Sequence, residues 1–111
     1  MHTILNHPII DDCMARLRHR QTPVEELRRI VRQIAMLMVP AVTQNLSTKP
    51  TSIPTPLETT ELQTLATPIT LCPILRAGLG MLDGFHTLLP QASVAHIGLA
   101  RNEKTLQPES Y

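Results

Sequence analysis

CPILRAGLGMLDG, residues 72–84, decides how the rest of the chain is read. An apolar run ends at Leu75, Arg76 follows, and Gly78 and Gly80 flank Leu79 before a second apolar run begins. The first run, TPITLCPIL (67–75), has the length of a buried strand, and Pro73 limits where its pairing ends. LGMLDGFHTLL (79–89) places Leu79, Leu82, Phe85 and Leu89 at helical spacing, and Pro90 closes it. SVAHIGLA (93–100) is a second apolar strand. Strand, helix and strand within about thirty residues make a βαβ unit, whose two strands are parallel.

Towards the N-terminus, HPIIDDCMARLRHR (7–20) reads as a helix with Pro8 in its first turn. Ile9, Ile10, Cys13, Met14 and Leu17 share one of its faces. TPVEELRRIVRQIAMLMVPAVTQNL (22–46) is the clearest helix. Thr22 is its expected N-cap, Pro23 its first residue, and Glu25 completes a capping box. Leu27, Ile30, Val31, Ile34, Leu37, Met38 and Ala41 form its apolar stripe. Glu25 and Arg29 are spaced to pair, and Pro40 is expected to kink or end the helix. Residues 47–60, STKPTSIPTPLETT, carry three prolines and predict a loop or irregular edge arm. RNEKTLQPESY (101–111) is polar and expected to be exposed. The fold class is therefore α/β, with a single partial domain over 1–111. It comprises N-terminal helices (1–46), an irregular arm (47–66), the βαβ unit (67–100) and an exposed arm (101–111).

Composition narrows the function. The chain has 111 residues, 42% of them hydrophobic, which places it among folded proteins rather than disordered tails. Phe85 and Tyr111 are the only aromatics, too few to stack single-stranded nucleic acid. Six of the ten basic residues lie between Arg16 and Arg32, but a net charge of +1 reads as a solvated helix surface rather than a nucleic-acid patch. The longest apolar run, IAMLMVPAV (34–42), is too short to span a bilayer. Neither nucleic acid nor membrane is expected as a partner. Cys13 and Cys72 form no CxxC and read as two buried thiols of a cytoplasmic protein. The histidines are scattered: His2 and His7 lack the i, i+4 spacing of a helical metal pair. No metal ligand set is read from the sequence. His86, His96 and Asp83 are ordinary surface or packing residues in this reading, so no catalytic residue is assigned.

Ligands bind at the carboxyl ends of the strands in an open parallel sheet. Arg76 follows the first strand and Arg101 follows the second, so both fall on the same rim. Two guanidinium groups beside a helix N-terminus suit a polyphosphate, and the glycines let a ligand approach the backbone. The stretch fits neither GxGxxG nor GxxxxGK[ST], and a strand-to-helix turn with glycine is common. Pattern alone leaves both a phosphate loop and a plain turn open.

PILRAGLGMLDG nevertheless closely resembles uracil phosphoribosyltransferases. The resemblance extends to HP (7–8), EELRR and IAML in the long helix, TPLETT (55–60) and HIGLARNEKTLQPESY (96–111), in the order of the N-terminal half of that family. It implies a type I phosphoribosyltransferase fold, with a Rossmann-like parallel sheet that is incomplete here. It implies transfer of ribose phosphate from phosphoribosyl pyrophosphate to uracil, giving UMP and pyrophosphate, with magnesium bound alongside the phosphoribosyl pyrophosphate. It also implies that Arg76, Ala77, Gly78 and Arg101 line the pyrophosphate, that GTP is an effector, and that the segment after Arg101 is a mobile arm. The family's acidic phosphate loop, of DPMLATGGS type, and its uracil-recognition segment have no counterpart in these 111 residues. The chain alone is therefore expected to be inactive, marginally stable, and oligomeric or associated through an exposed sheet edge. The alternative is a non-catalytic module that associates with a full-length enzyme or partner.

Overall fold

Two helices and a ribbon precede the sheet in the computed structural model, which describes residues 2–111. The first helix, α1 (Pro8–Arg18), starts where Pro8 fixes the first turn and His7 Nδ1 accepts a hydrogen bond from the Ile9 amide at 3.1 Å. Thr22 caps α1 rather than the helix that follows it. Its hydroxyl donates to the Arg16 carbonyl at 2.6 Å, satisfying one of the carbonyls left over at the helix end. The second helix, α2 (Val24–Thr43), accordingly starts after Pro23 without a side-chain cap, and Glu25 completes no capping box. The expected Glu25–Arg29 pair is replaced as well. Glu26 holds both Arg16, at 3.3 Å, and Arg29, at 3.8 Å. Pro40 does not end α2, which runs on to Thr43. The proline lies on the exposed side of the last turn, where its missing N–H costs one backbone bond, to the Met36 carbonyl.

Cys13 of α1 and Ile30 of α2 are fully buried against each other's helices, with Ala35 and Val39 continuing the core along α2. The third helix, α3 (Leu79–Leu88), packs along α2 with Gly84 buried against Ala35. Arg32 fastens the two helices from the rim: its Nη2 donates to Thr87 Oγ1 at 3.0 Å and its Nε lies 3.6 Å from Asp83 Oδ2. Gly80 differs from Gly84, because a methyl group there meets only Val31 Cγ1, at an ordinary 3.5 Å. Gly80→Ala is thus expected to gain about 0.5–1 kcal/mol from helix propensity, read as a higher midpoint in chemical denaturation. An unchanged or lowered midpoint would contradict this placement.

Residues 48–65 are not irregular. They form an antiparallel ribbon, β1 (Thr48–Pro54) and β2 (Thr59–Leu65), closed by a Thr55–Glu58 turn. The prolines are accommodated by register. Ala66 donates to Ser47 and Thr55 to Glu58, so the hydrogen-bonded pairs fall on odd residues of β1. Pro50 and Pro54 occupy even positions, where a backbone N–H would point away from β2 and no ladder bond is lost. The Thr51 and Thr64 hydroxyls add a 2.6 Å bond across one face.

The βαβ unit forms as expected, with parallel strands. Thr70–Leu71 (β3) and Ile74–Leu75 (β4) pair with Ser93–Val94 (β5) and Ile97–Arg101 (β6), each residue facing the one 23 positions later. One register thus runs through all four segments. The carbonyls of Ile69, Leu71 and Pro73 accept from Ser93, Ala95 and Ile97 at 2.9–3.0 Å, but Pro73 cannot donate, and the strand divides there. The strands are not buried: Ile74 is 50% exposed and Ile97 42%. Cys72 is exposed while Cys13 is buried, and both are free thiols. Residues 101–111 do not trail away. They turn back so that β7 (Pro108–Ser110) pairs antiparallel with β6, although almost all of their side chains stay exposed.

The radius of gyration is 18.4 Å, against about 13 Å for a compact chain of this length. The accessible surface is 9149 Å², roughly 3,000 Å² more than a compact monomer of this mass presents. The projecting ribbon and the uncovered sheet account for the difference in kind.

Candidate functional site

The site is built where β4 gives way to α3 and β6 ends beside it. Leu75 faces Gly98 in the ladder, so the chain reaches the carboxyl rim at Arg76 on one strand and at Arg101 on the next. Gly78 makes the turn possible. Its N–H donates to the Ile74 carbonyl at 2.8 Å, folding the loop down onto its own strand. A Cβ on Gly78 would lie 2.6 Å from both the nitrogen and the oxygen of Ile74, so no side chain fits. The Leu75–Arg76 peptide bond is cis.

Loop amides divide into two kinds. Those of Leu79 and Gly80 donate to the Arg76 and Ala77 carbonyls at 3.1 and 3.2 Å, in the tight first turn of α3. The helix N-terminus is therefore partly satisfied from within, which sequence reasoning did not anticipate. Among the described residues, the amides of Arg76 and Ala77 donate to no recorded acceptor.

The arginines divide in the same way. Arg16, Arg29 and Arg32 on the helices all have carboxylate partners, with Arg16 Nε 3.2 Å from Asp12 and the others as described. Arg18, Arg20 and Arg28 of the same stretch are exposed and, among the described residues, have no such partner. Arg76 and Arg101 are exposed and, among the described residues, have neither an ion pair nor a side-chain hydrogen bond. Asp83 turns to Arg32 on the far side of α3, while His86 and His96 are exposed. An apolar groove of 340 Å³ between the strand and α3 reaches Gly78 from behind, lined by Ile74, Met81, Leu82 and Phe85 among others.

Among the described residues, no three or more His, Cys, Asp or Glu side chains gather to hold a metal ion. No helix among them is long and apolar enough to cross a membrane.

Sequence reasoning missed Asn102. It sits at the end of β6 and opens the turn to β7, where Leu106 adopts the left-handed conformation at φ 60°. The readable signal was an asparagine between a strand and a polar turn, a residue type that bonds its own downstream backbone.

The chain is similar to known proteins. A family model described as uracil phosphoribosyltransferase matches residues 4–111. The uracil phosphoribosyltransferase of Acholeplasma laidlawii (strain PG-8A) is 42% identical over 108 residues, which are 97% of this chain and 52% of that protein. The one from Clostridium beijerinckii is 45% identical over 108 residues, covering 96% of this chain and 52% of that protein. The solved structure of the AQ2163 protein from Aquifex aeolicus superposes with a TM-score of 0.91 at 29% identity, over 100% of this chain and 54% of that one. The chain spans about half the length of the curated relatives it matches.

Proposed function

The chain belongs to the uracil phosphoribosyltransferase family, and from that premise we propose that it supplies the pyrophosphate side of a phosphoribosyl-transfer site. The reaction is transfer of phosphoribose from phosphoribosyl pyrophosphate to uracil, giving UMP and pyrophosphate. The observation that carries the reading is the pair of unpartnered arginines on one rim, Arg76 and Arg101, beside the two donor amides of Arg76 and Ala77.

The leaving group is a pyrophosphate. Negative charge grows on its bridging side as the glycosidic carbon gains oxocarbenium character. Fixed cations and amides aimed at those oxygens favour the transition state over the ground state. Arginine serves this role because it stays charged and grips two oxygens at once. Gly78 keeps the loop low enough for the diphosphate to meet backbone. Magnesium bound alongside the diphosphate would add positive charge to that supplied by Arg76 and Arg101. Uracil recognition belongs to the half of the relatives that this chain does not span, and the cytoplasm is the compartment in which both substrates would be met.

Calorimetric titration with inorganic pyrophosphate tests the assignment. Arg76→Ala and Arg101→Ala are each expected to weaken binding roughly 10- to 100-fold, the usual cost of one charge-assisted contact. Affinity unchanged in both variants overturns it.

A second reading, an interaction module, is favoured by the uncovered sheet. Odd-numbered residues of 69–75 bond towards β5 and β6, so Thr70 and Cys72 direct their backbone groups outwards. The roughly 3,000 Å² of excess surface exceeds the 1,200–2,000 Å² of a standard interface. The occupant is a segment equivalent to the half of the relatives beyond this chain. Co-purification with the C-terminal half of the Clostridium beijerinckii relative is expected. Failure to associate removes this reading and leaves the pyrophosphate titration to decide the first.

A further inference from the structure

Asn102 is tied into the β6–β7 hairpin by five hydrogen bonds. Its backbone N–H donates to the Gln107 carbonyl at 2.9 Å, and its carbonyl accepts from the Leu106 amide at 2.8 Å. The side-chain Oδ1 accepts from the amides of Lys104, at 2.9 Å, and Thr105, at 3.0 Å. Nδ2 donates to Glu109 Oε1 at 2.7 Å. Asn102 is half-buried, whereas every other residue from Arg101 to Tyr111 is exposed.

Three features make these bonds matter for Arg101. Apolar burial does little for an arm this exposed, so hydrogen bonding sets its shape. Arg101 faces Pro108 at a non-hydrogen-bonded position of the ladder, so it is held to β7 only through the flanking pairs, Ala100–Glu109 and Asn102–Gln107. And the turn holds Leu106 at a left-handed φ that a non-glycine residue adopts only when its surroundings impose it. The Asn102 side chain reinforces that end of the ladder, clasping Glu109 on one strand and the start of the turn on the other.

We propose that Asn102 is a positioning residue, whose clasp on Glu109 and on the 104–105 amides fixes the end of β6 and so presents Arg101 to a phosphate-bearing ligand. This rests on the reading of Arg101 as an anion ligand. Asn102 itself touches no reacting group.

The test uses the full chain with inorganic pyrophosphate as probe. Asn102→Asp keeps an acceptor for the two amides but sets one carboxylate against another at Glu109. It is expected to weaken pyrophosphate binding about tenfold and to speed hydrogen exchange at Lys104 and Thr105. Glu109→Gln keeps an acceptor for Asn102 and is expected to bind as the parent does. Combining Asn102→Asp with Glu109→Gln restores a donor–acceptor pair with its direction reversed, and affinity is expected to return to within about threefold of the parent. In an Arg101→Ala background, Asn102→Asp is expected to add no further loss.

The outcomes separate cleanly. If Arg101→Ala leaves binding intact, the reading of Arg101 fails and the inference falls with it. If Arg101→Ala weakens binding but Asn102→Asp does not, the inference alone is overturned. A loss from Asn102→Asp that persists undiminished without Arg101 also overturns it, since the added charge or a general loosening would then be responsible.

Discussion

Gly84→Val is expected to destabilise the chain by about 3 kcal/mol and to lower its melting temperature by roughly 10–15 °C. Any Cβ at this position would stand 2.5 Å from the Arg32 carbonyl oxygen, 2.6 Å from Ala35 Cβ and 3.2 Å from the Met36 nitrogen. Two of those three atoms are backbone of a helix, which cannot step aside as a flexible side chain would. The helices must part instead. Parting them uncovers Ala35, which belongs with Cys13, Ile30 and Val39 to the small buried core of the described residues. It also stretches the bonds from Arg32 to Asp83 and Thr87. The gain of about 1 kcal/mol that replacing a helical glycine normally brings is too small to offset this. Thermal unfolding followed by circular dichroism reads the effect. A melting temperature within about 2 °C of the parent would mean that α2 and α3 do not meet at Gly84.

The second large effect is expected at Gly78→Ala. One methyl group placed 2.6 Å from both the nitrogen and the oxygen of Ile74 forces the loop off its strand and breaks the Gly78–Ile74 hydrogen bond. The cost is about 3 kcal/mol of stability. Binding suffers for a separate reason, because lifting the loop moves Arg76 and the Ala77 amide together. At a temperature where the variant remains folded, pyrophosphate affinity is expected to fall by more than the roughly 10- to 100-fold assigned to one arginine. Equal affinity in a folded variant would show that the loop amides take no part. Gly78 and Gly84 lie six residues apart, one serving the rim and one the core, so stability and binding report on them differently.

Much of this was legible in the sequence, and the exceptions share a cause. The βαβ unit followed from apolar runs of strand and helix length around Gly78 and Pro90, and the parallel pairing placed both arginines on one rim. The ribbon at 48–65 was hidden by its prolines. Local rules count a proline as a lost donor, but at Pro50 and Pro54 the lost donor faces away from the partner strand, and only the register reveals that. Thr22 was misassigned for a similar reason. Its hydroxyl had two helix ends within reach, and the tertiary arrangement, not the local motif, sent it to Arg16. Pro40 leaves α2 running to Thr43, because a proline within the last turn of a helix removes only one bond. The charge state of the rim could not be read at all. Whether an arginine is partnered depends on carboxylates such as Asp83 on α3, far away in sequence from Arg32.

The register of the ribbon has one more consequence. Two-stranded ribbons in solution are exposed to further strands joining their outer sides, the first step towards fibrous aggregates. On β1 that outer side is where Pro50 and Pro54 lack their donors. An incoming strand would find two of its acceptors unanswered, so the prolines that disguise the ribbon in the sequence also stop it from growing on that side.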